Sequence, residues 1–306
     1  MIRLRMARLL CKGLPISVIL LISYIGIAAQ EDDVIKVDSS IVVLNATIRD
    51  SQNRPVSGLQ KSQFKIFEDG VEQQLSSFDT EESPFAAIVL LDTSGSMAER
   101  ISMARSAAIT FLDGLRGGDL TAIYHFDSKV TRVQDFSESR DVADRIFDLK
   151  ANGMTVLNDA IVEAAARLSE RPEKRRAIIV VSDGADTQSH ASTDKAVRAA
   201  LAANATIYTV DMSSIDTGGV DRMQNQSVLK RFAEKSGGFF ISSENGLALR
   251  NALRSIVDEL RNQYTLAYSP KDPKNDGKWH AVELRVSRPS LTIRTREGYN
   301  APKKKG

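Results

Sequence analysis

Six apolar residues in unbroken succession, Ala86-Ala87-Ile88-Val89-Leu90-Leu91, run straight into Asp92-Thr93-Ser94-Gly95-Ser96. An apolar run without alternation suits a strand buried on both faces, as in the middle of a parallel sheet. A helical pattern follows from Ala98 to Leu115, with Ile101, Ala104, Ala108, Phe111, Leu112 and Leu115 on one face. One carboxylate and two hydroxyls are therefore expected where the carboxyl end of a strand meets a helix start. Ligands bind at that edge in open α/β sheets.

Hard divalent cations such as Mg²⁺ take oxygen ligands in near-octahedral array. A carboxylate supplies charge, hydroxyls fill positions without adding more, and Gly95 removes a side chain where the loop must turn. Ser94 and Ser96 are equally good helix caps, so these residues alone leave both roles open. Two later segments bear on the choice. Ala177-Ile178-Ile179-Val180-Val181 is a second unbroken apolar run, ending in Ser182-Asp183-Gly184, and Asn152-Gly153-Met154-Thr155-Val156-Leu157-Asn158-Asp159-Ala160 places a threonine before a helical pattern. Two buried parallel strands put Asp92 and Asp183 at the same edge of one sheet.

Asp92-x-Ser94-x-Ser96, the Thr155 segment and Ser182-Asp183-Gly184, in that order, closely resemble the von Willebrand factor A domain and its metal-ion-dependent adhesion site. The resemblance covers roughly residues 84–262. It implies that Ser94, Ser96 and Thr155 coordinate Mg²⁺ (or Mn²⁺) directly. Asp92 and Asp183 would bind the ion directly or through water. The remaining position would be open to a Glu or Asp carboxylate of a partner protein. Met154 stands where many relatives carry a second glycine, which leaves the Thr155 hydroxyl in place.

The N-terminus carries Arg3, Arg5, Arg8 and Lys12 without an acid, then a nearly apolar stretch from Leu14 to Ala29. That order reads as a secretory signal peptide over residues 1–29. The rival is an uncleaved inner-membrane anchor, but the run of about 16 residues is short of the roughly 20 that span a bilayer. Cleavage removes four of the 41 basic residues and none of the 39 acidic ones, leaving a nearly neutral chain. Nucleic acid is not an expected partner. The lone cysteine, Cys11, leaves with the leader, so the exported protein, periplasmic or secreted, is held by packing alone.

The remaining chain divides into a β segment (30–83), the α/β domain (84–262) and a second β segment (263–306). Strands are expected within Val34–Ile48, over Phe64–Phe67, and over Val71–Phe78 after the Asp69-Gly70 turn. Tyr264–Tyr268, His280–Val286 and Leu291–Thr295 complete the set. Neither flank has enough strands to stand alone, so the two are expected to form one small antiparallel sandwich around the inserted α/β domain. The chain also resembles exported bacterial proteins built in this way.

Within the α/β domain, strands are expected at Leu120–Phe126, Lys129–Asp135 (an antiparallel edge), Thr206–Val210 and Phe239–Ser242. Helices are expected at Ser139–Leu149, Leu157–Leu168, Asp194–Ala203, Ser227–Lys235 and Gly246–Leu260. This is a doubly wound, mostly parallel sheet. The polar stretch Ser213–Gln226 is placed to shape the rim of the site. Asp127 reads as a turn residue. Asp159 reads as support for the Thr155 loop or as helix N-terminal charge, and Asp186 as loop surface. Trp279 reads as β-domain core. His125, His190 and His280 share no motif spacing.

Two functions compete. A binding module needs only the cation and its open position. A Mg²⁺-dependent hydrolase would use the ion to activate water, but the loop lacks a second Asp two residues after Asp92, and no phosphate-cradling glycine loop is present. A scaffold with an unused metal site is the third possibility. The expectation is a non-enzymatic binding module.

Overall fold

The structure is a computed structural model and describes residues 41–80, 83–213, 219–243 and 245–303. The leader, Cys11 and the strand expected before residue 41 lie outside those residues. In chain order the first flank gives β1 (Val42–Arg49), β2 (Phe64–Glu68), β3 (Val71–Gln73) and β4 (Leu75–Asp79). The α/β part begins with β5 (Phe85–Asp92), α1 (Ile101–Asp113), β6 (Leu120–Phe126), β7 (Val130–Ser137), α2 (Leu157–Ser169) and β8 (Arg175–Ser182). It continues with α3 (Thr193–Ala202), β9 (Ala205–Asp211), α4 (Gly219–Ser236), β10 (Phe240–Ser242) and α5 (Gly246–Arg261). The second flank adds β11 (Tyr264–Tyr268), β12 (Trp279–Val286), β13 (Thr292–Arg294) and β14 (Gly298–Asn300).

Every residue of β5 is buried. Its pleat sends Phe85, Ala87, Val89 and Leu91 into one core with α1 and α5. Ala86, Ile88 and Leu90 enter a second core with α2, α3 and α4. Helices on both faces explain why the strand carries no polar alternation. The six-stranded sheet runs β10-β9-β8-β5-β6-β7. All neighbours are parallel except β7, which pairs antiparallel with β6 at the edge. The chain thus winds outward from β5 through β6 to β7, then returns to β8 on the other side of β5. The switch point lies between β5 and β8, where Leu91 stands opposite Val181.

The flanks form two four-stranded antiparallel sheets, β13-β1-β11-β4 and β14-β12-β2-β3, each mixing strands from both ends of the chain. Their inner faces share one core, which includes Leu44, Ile48, Phe64, Ile66, Leu266 and Leu284. This matches the expected fold class, a mostly parallel α/β sheet with antiparallel sheets from the flanks.

Several local expectations need correction. The helix expected at Ser139–Leu149 is one 3₁₀ turn, Asp144–Ile146. Upstream of it, the N–H groups of Ser139, Asp141 and Ala143 donate to the side chains of Ser137, Ser139 and Gln134, the local competition that polar side chains offer to helix. The return strand Val71–Phe78 is split: β3 and β4 lie in different sheets, so the chain crosses the sandwich at Gln74. The helix expected to begin at Ser227 begins at Gly219. Trp279 is 43% exposed. It opens β12 on the outward parity of an alternating strand, with its ring over Gly298, where a Cβ would come within 2.5 Å of it. The three-residue β14 was not anticipated.

Candidate metal centre

Asp92 ends β5 at the switch point and is fully buried. Its Oδ1 accepts the Ser94 N–H at 2.9 Å, and its Oδ2 accepts the Ser182 hydroxyl at 2.5 Å, which ties β5 to β8. Burial raises the Asp92 pKa to about 6; hydrogen bonds from Ser182 and Ser94 oppose that rise, and the Asp183 charge adds to it. A buried carboxylate facing a second carboxylate is a setting that a cation relieves. Ser94 is buried and Ser96 exposed, with their hydroxyl oxygens 3.1 Å apart. The segment after them, Gly95–Arg100, is 3₁₀ rather than α, and neither serine caps it by a side-chain hydrogen bond.

The second loop is stitched to the first. Asn152 N–H donates to Thr93 O at 2.8 Å, and Gly95 N–H donates to Gly153 O at 3.2 Å. Gly153 has φ +78°, and a Cβ there would lie 2.6 Å from Ser128 Oγ, so only glycine fits without rearrangement. Thr155 is 3% exposed. Its N–H donates to Thr187 Oγ1 at 2.9 Å, and its carbonyl accepts the N–H groups of Thr187 and Gln188. Its own hydroxyl makes no hydrogen bond among the described residues. In the third loop Asp183 Oδ1 accepts the Ala185 N–H at 3.1 Å, and Gly184 N–H donates to Ser182 Oγ.

The structure thus places Asp92, Ser94, Ser96, Thr155 and Asp183 on three loops joined by hydrogen bonds at the carboxyl edge of the sheet. The donor set is all oxygen, with two carboxylates and three hydroxyls, which suits Mg²⁺ or Mn²⁺. The 3.1 Å between the Ser94 and Ser96 oxygens is close to the roughly 3.0 Å between adjacent ligands of an octahedral ion with bonds of about 2.1 Å.

Other residues settle into supporting roles. Asp127 Oδ1 accepts Lys129 N–H, a turn as expected. Asp159 accepts the N–H groups of His190 and Ala191, so it holds the loop after Asp183 rather than the Thr155 loop. Asp186 is not bare surface: its Oδ2 accepts Asn158 N–H at the start of α2, and its Oδ1 accepts Ser189 N–H. His125 Nδ1 lies 2.9 Å from Thr93 Oγ1, and burial depresses its pKa. Asp211, which ends β9, went unnoticed in the sequence. It is buried and engaged with Ser213 N–H, Gln226 Nε2 and Ser242 Oγ, which fastens α4 and β10 beside the site.

A second set of potential ligands, Glu68, Asp69 and His280, lies in the flanking sheets. There His280 Nδ1 is 2.7 Å from Asp69 Oδ2, and Nε2 is 3.5 Å from Asp276 Oδ1. Glu68 accepts the Tyr268 hydroxyl at 2.7 Å. With both imidazole nitrogens engaged, the group is an ion-paired clasp on the β2–β3 turn.

No curated protein matches the sequence. Among solved structures the chain is similar to a von Willebrand factor type A protein from Catenulispora acidiphila, with 13% identity, 87% of this chain and 75% of that one covered, and a TM-score of 0.50. It is also similar to the PilB minor pilin of Streptococcus sanguinis (15% identity, 59% and 62% covered, TM-score 0.47). A third is the vWF domain of the type V pili tip protein Mfa5 of Porphyromonas gingivalis (14% identity, 57% and 94% covered, TM-score 0.46). The chain spans less than two thirds of the length of the pilin. At these identities the likeness is one of fold. Residues 87–185, which run from β5 through the third loop, match the family described as von Willebrand factor type A domain, and that stretch of the chain is similar to it.

Proposed function

We propose that the chain is an exported binding module. It holds one divalent cation, Mg²⁺ or Mn²⁺, at Asp92, Ser94, Ser96, Thr155 and Asp183, and offers the open position to a Glu or Asp carboxylate of a partner protein. The observation that carries this reading is the all-oxygen donor set on three mutually bonded loops, with the Thr155 hydroxyl left unengaged. A protein partner is favoured by the surroundings. Met154, Val220, Met223 and Leu247 are each half or more exposed; Met154 stands in the loop bonded to Thr93 and Gly95, and the others follow the carboxyl ends of β9 and β10 in the chain. Apolar side chains around a polar centre mark interaction surfaces. Export rests on the basic-then-apolar leader. No helix among the described residues is long and apolar enough to cross a membrane.

The test is calorimetric titration of Mg²⁺ and Mn²⁺ into the full chain and its Asp92→Ala variant, carried to several millimolar because exported oxygen-ligand sites can have Kd of about 10⁻⁴–10⁻³ M. One-site binding that vanishes in the variant is expected. Equal binding in both proteins, or none in either, refutes the site.

A further inference from the structure

Along the β2–β12 pair, Phe64, Ile66, Val282 and Leu284 face the sandwich core. At one end of that pair the inward parity passes to Glu68 and His280, both buried. An acid and an imidazole on an inner face are costly unless paired, and a buried polar group is the informative exception to an apolar interior. Asp69 follows Glu68 on the β2–β3 turn, and Asp276 precedes β12. Three carboxylates thus converge on one imidazole. Asp69 Oδ2 lies 2.7 Å and Glu68 Oε1 3.9 Å from Nδ1, and Asp276 Oδ1 lies 3.5 Å from Nε2.

The bonds that make this group a clasp also lay out a coordination set. His280 Nδ1, one oxygen of Asp69 and one of Glu68 lie within 4.8 Å of one another. A tetrahedral ion with bonds of about 2.0–2.1 Å spaces its ligands roughly 3.3 Å apart, and the 2.7 and 3.9 Å contacts bracket that spacing. Each ligand is held by its other atom. Asp276 engages Nε2, which leaves Nδ1 to coordinate; a carboxylate on the opposite ring nitrogen is the usual support of a metal-bound histidine. The Tyr268 hydroxyl donates to Glu68 Oε2 at 2.7 Å, and Ala281 N–H donates to Asp69 Oδ1 at 3.0 Å. A carboxylate oxygen has two lone pairs, so the Tyr299 hydroxyl at 3.3 Å does not exhaust Glu68 Oε1. The proton between Nδ1 and Asp69 stands where the ion would sit. Access is open, because the Asp69 and Asp276 side chains are 42% and 34% exposed.

We infer that Glu68, Asp69 and His280 form a second metal site, which takes a transition ion such as Zn²⁺ and ties β2 to β12. An imidazole beside two carboxylates suits Zn²⁺ better than Mg²⁺ or Ca²⁺, unlike the all-oxygen loops. Glu68 stands opposite Val282, so the ion staples a strand of the first flank to a strand of the second. The site is independent of the loop site: if Mg²⁺ fails to bind the loops, the zinc result should be unchanged.

The experiment titrates Zn²⁺ by calorimetry into the full chain in 10 mM Mg²⁺ and into its Asp92→Ala variant, which lacks the loop carboxylate. One Zn²⁺ event of the same affinity should appear in both. Asp69→Asn and His280→Gln should each weaken it by about tenfold or more, and Asp276→Asn, which meets the ring only at Nε2, by about tenfold. His190→Gln, at an exposed imidazole beside Asp159, should leave it unchanged. Asn at position 69 keeps an acceptor for the Ala281 N–H, and far-UV circular dichroism checks that each variant is folded. Zn²⁺ should also raise the melting temperature read from Trp279 fluorescence in the native chain but not in Asp69→Asn. Absence of a Zn²⁺ event from both proteins overturns the inference, as does an event that survives Asp69→Asn and His280→Gln or disappears in Asp92→Ala.

Discussion

Replacing Arg175 with methionine removes a side chain that holds both connections between the antiparallel sheets and the α/β sheet. Arg175 opens β8 at the amino edge, opposite the metal loops, and is fully buried. Nη2 donates to Thr80 O at 2.6 Å and Gln263 O at 2.5 Å; Nη1 donates to Arg261 O at 3.0 Å and Leu260 O at 3.3 Å; Nε donates to Thr265 Oγ1 at 3.1 Å. Thr80 belongs to the segment entering β5, and residues 260–263 lead from α5 into β11. The bonds to Leu260 and Gln263 are buried, so methionine leaves two acceptors without water, at about 1–3 kcal/mol each. The carbonyls of Thr80 and Arg261 are partly open and recover water for roughly 1 kcal/mol or less. Methionine avoids the desolvation of a guanidinium, which offsets part of the loss. The balance is about 3–4 kcal/mol, a large share of a typical stability of about 5–15 kcal/mol. Two probes in urea check it. The single tryptophan, Trp279, reports the antiparallel sheets, and far-UV circular dichroism reports the helices. Their transitions should coincide in the native chain and separate in Arg175→Met. Arg175→Lys should rescue little, because one ammonium cannot span acceptors on both connections. A loss under about 1 kcal/mol with coincident transitions, or full rescue by lysine, refutes the clamp.

Three further outcomes are expected. Gly184→Ala should cost roughly 2–4 kcal/mol by chemical denaturation, since alanine must adopt φ +82° and its Cβ would lie 2.7 Å from Asn225 O of α4; a neutral result would mean that the loop and helix are not in contact. Thr155→Val should leave the fold intact, because the hydroxyl makes no hydrogen bond among the described residues, yet weaken Mg²⁺ binding about tenfold or more in the calorimetric titration; unchanged affinity removes Thr155 from the ligand set. For His280, burial depresses the pKa, but hydrogen bonds to Asp69 and Asp276 and the charges of Asp69 and Glu68 outweigh it and hold the imidazole above its ordinary value. The clasp therefore stabilises fully below about pH 6.5 and fades as pH rises through the raised folded value, so the stability gap between the native chain and His280→Gln should be widest near pH 5–6 and shrink toward pH 9. A flat gap contradicts the clasp.

Four of the five proposed ion ligands, Asp92, Ser94, Ser96 and Asp183, stand out in the sequence because they sit on short local patterns at the ends of unbroken apolar strands; Thr155 stands instead before a helical pattern. Asp92-x-Ser94-x-Ser96 and Ser182-Asp183-Gly184 announce both the strand and its ending. Asp211 ends a strand too, and local sequence does not separate it from Asp183. What separates them is the engagement of Asp211 by Gln226 and Ser242, 15 and 31 residues onward. Trp279 shows the same limit at the level of one residue: apolar character suggested the core, but the parity of β12 turned it outward, and parity depends on register with β2 and β14. Arg175 is the extreme case. Beside Arg176 at a strand start it reads as a solvated charge, and its acceptors lie 85 to 95 residues away. Asn158 likewise passes for an ordinary first-turn helix residue until the loop carrying Asp186 folds over it. Short-range chemistry thus marks the candidate ion loops, while the clamp at the amino edge exists only as a product of topology. The sheet keeps the two apart: fastening occupies one end of its strands and the candidate metal loops occupy the other. Substitutions in the carboxyl-edge loops are therefore expected to leave intact what Arg175 holds.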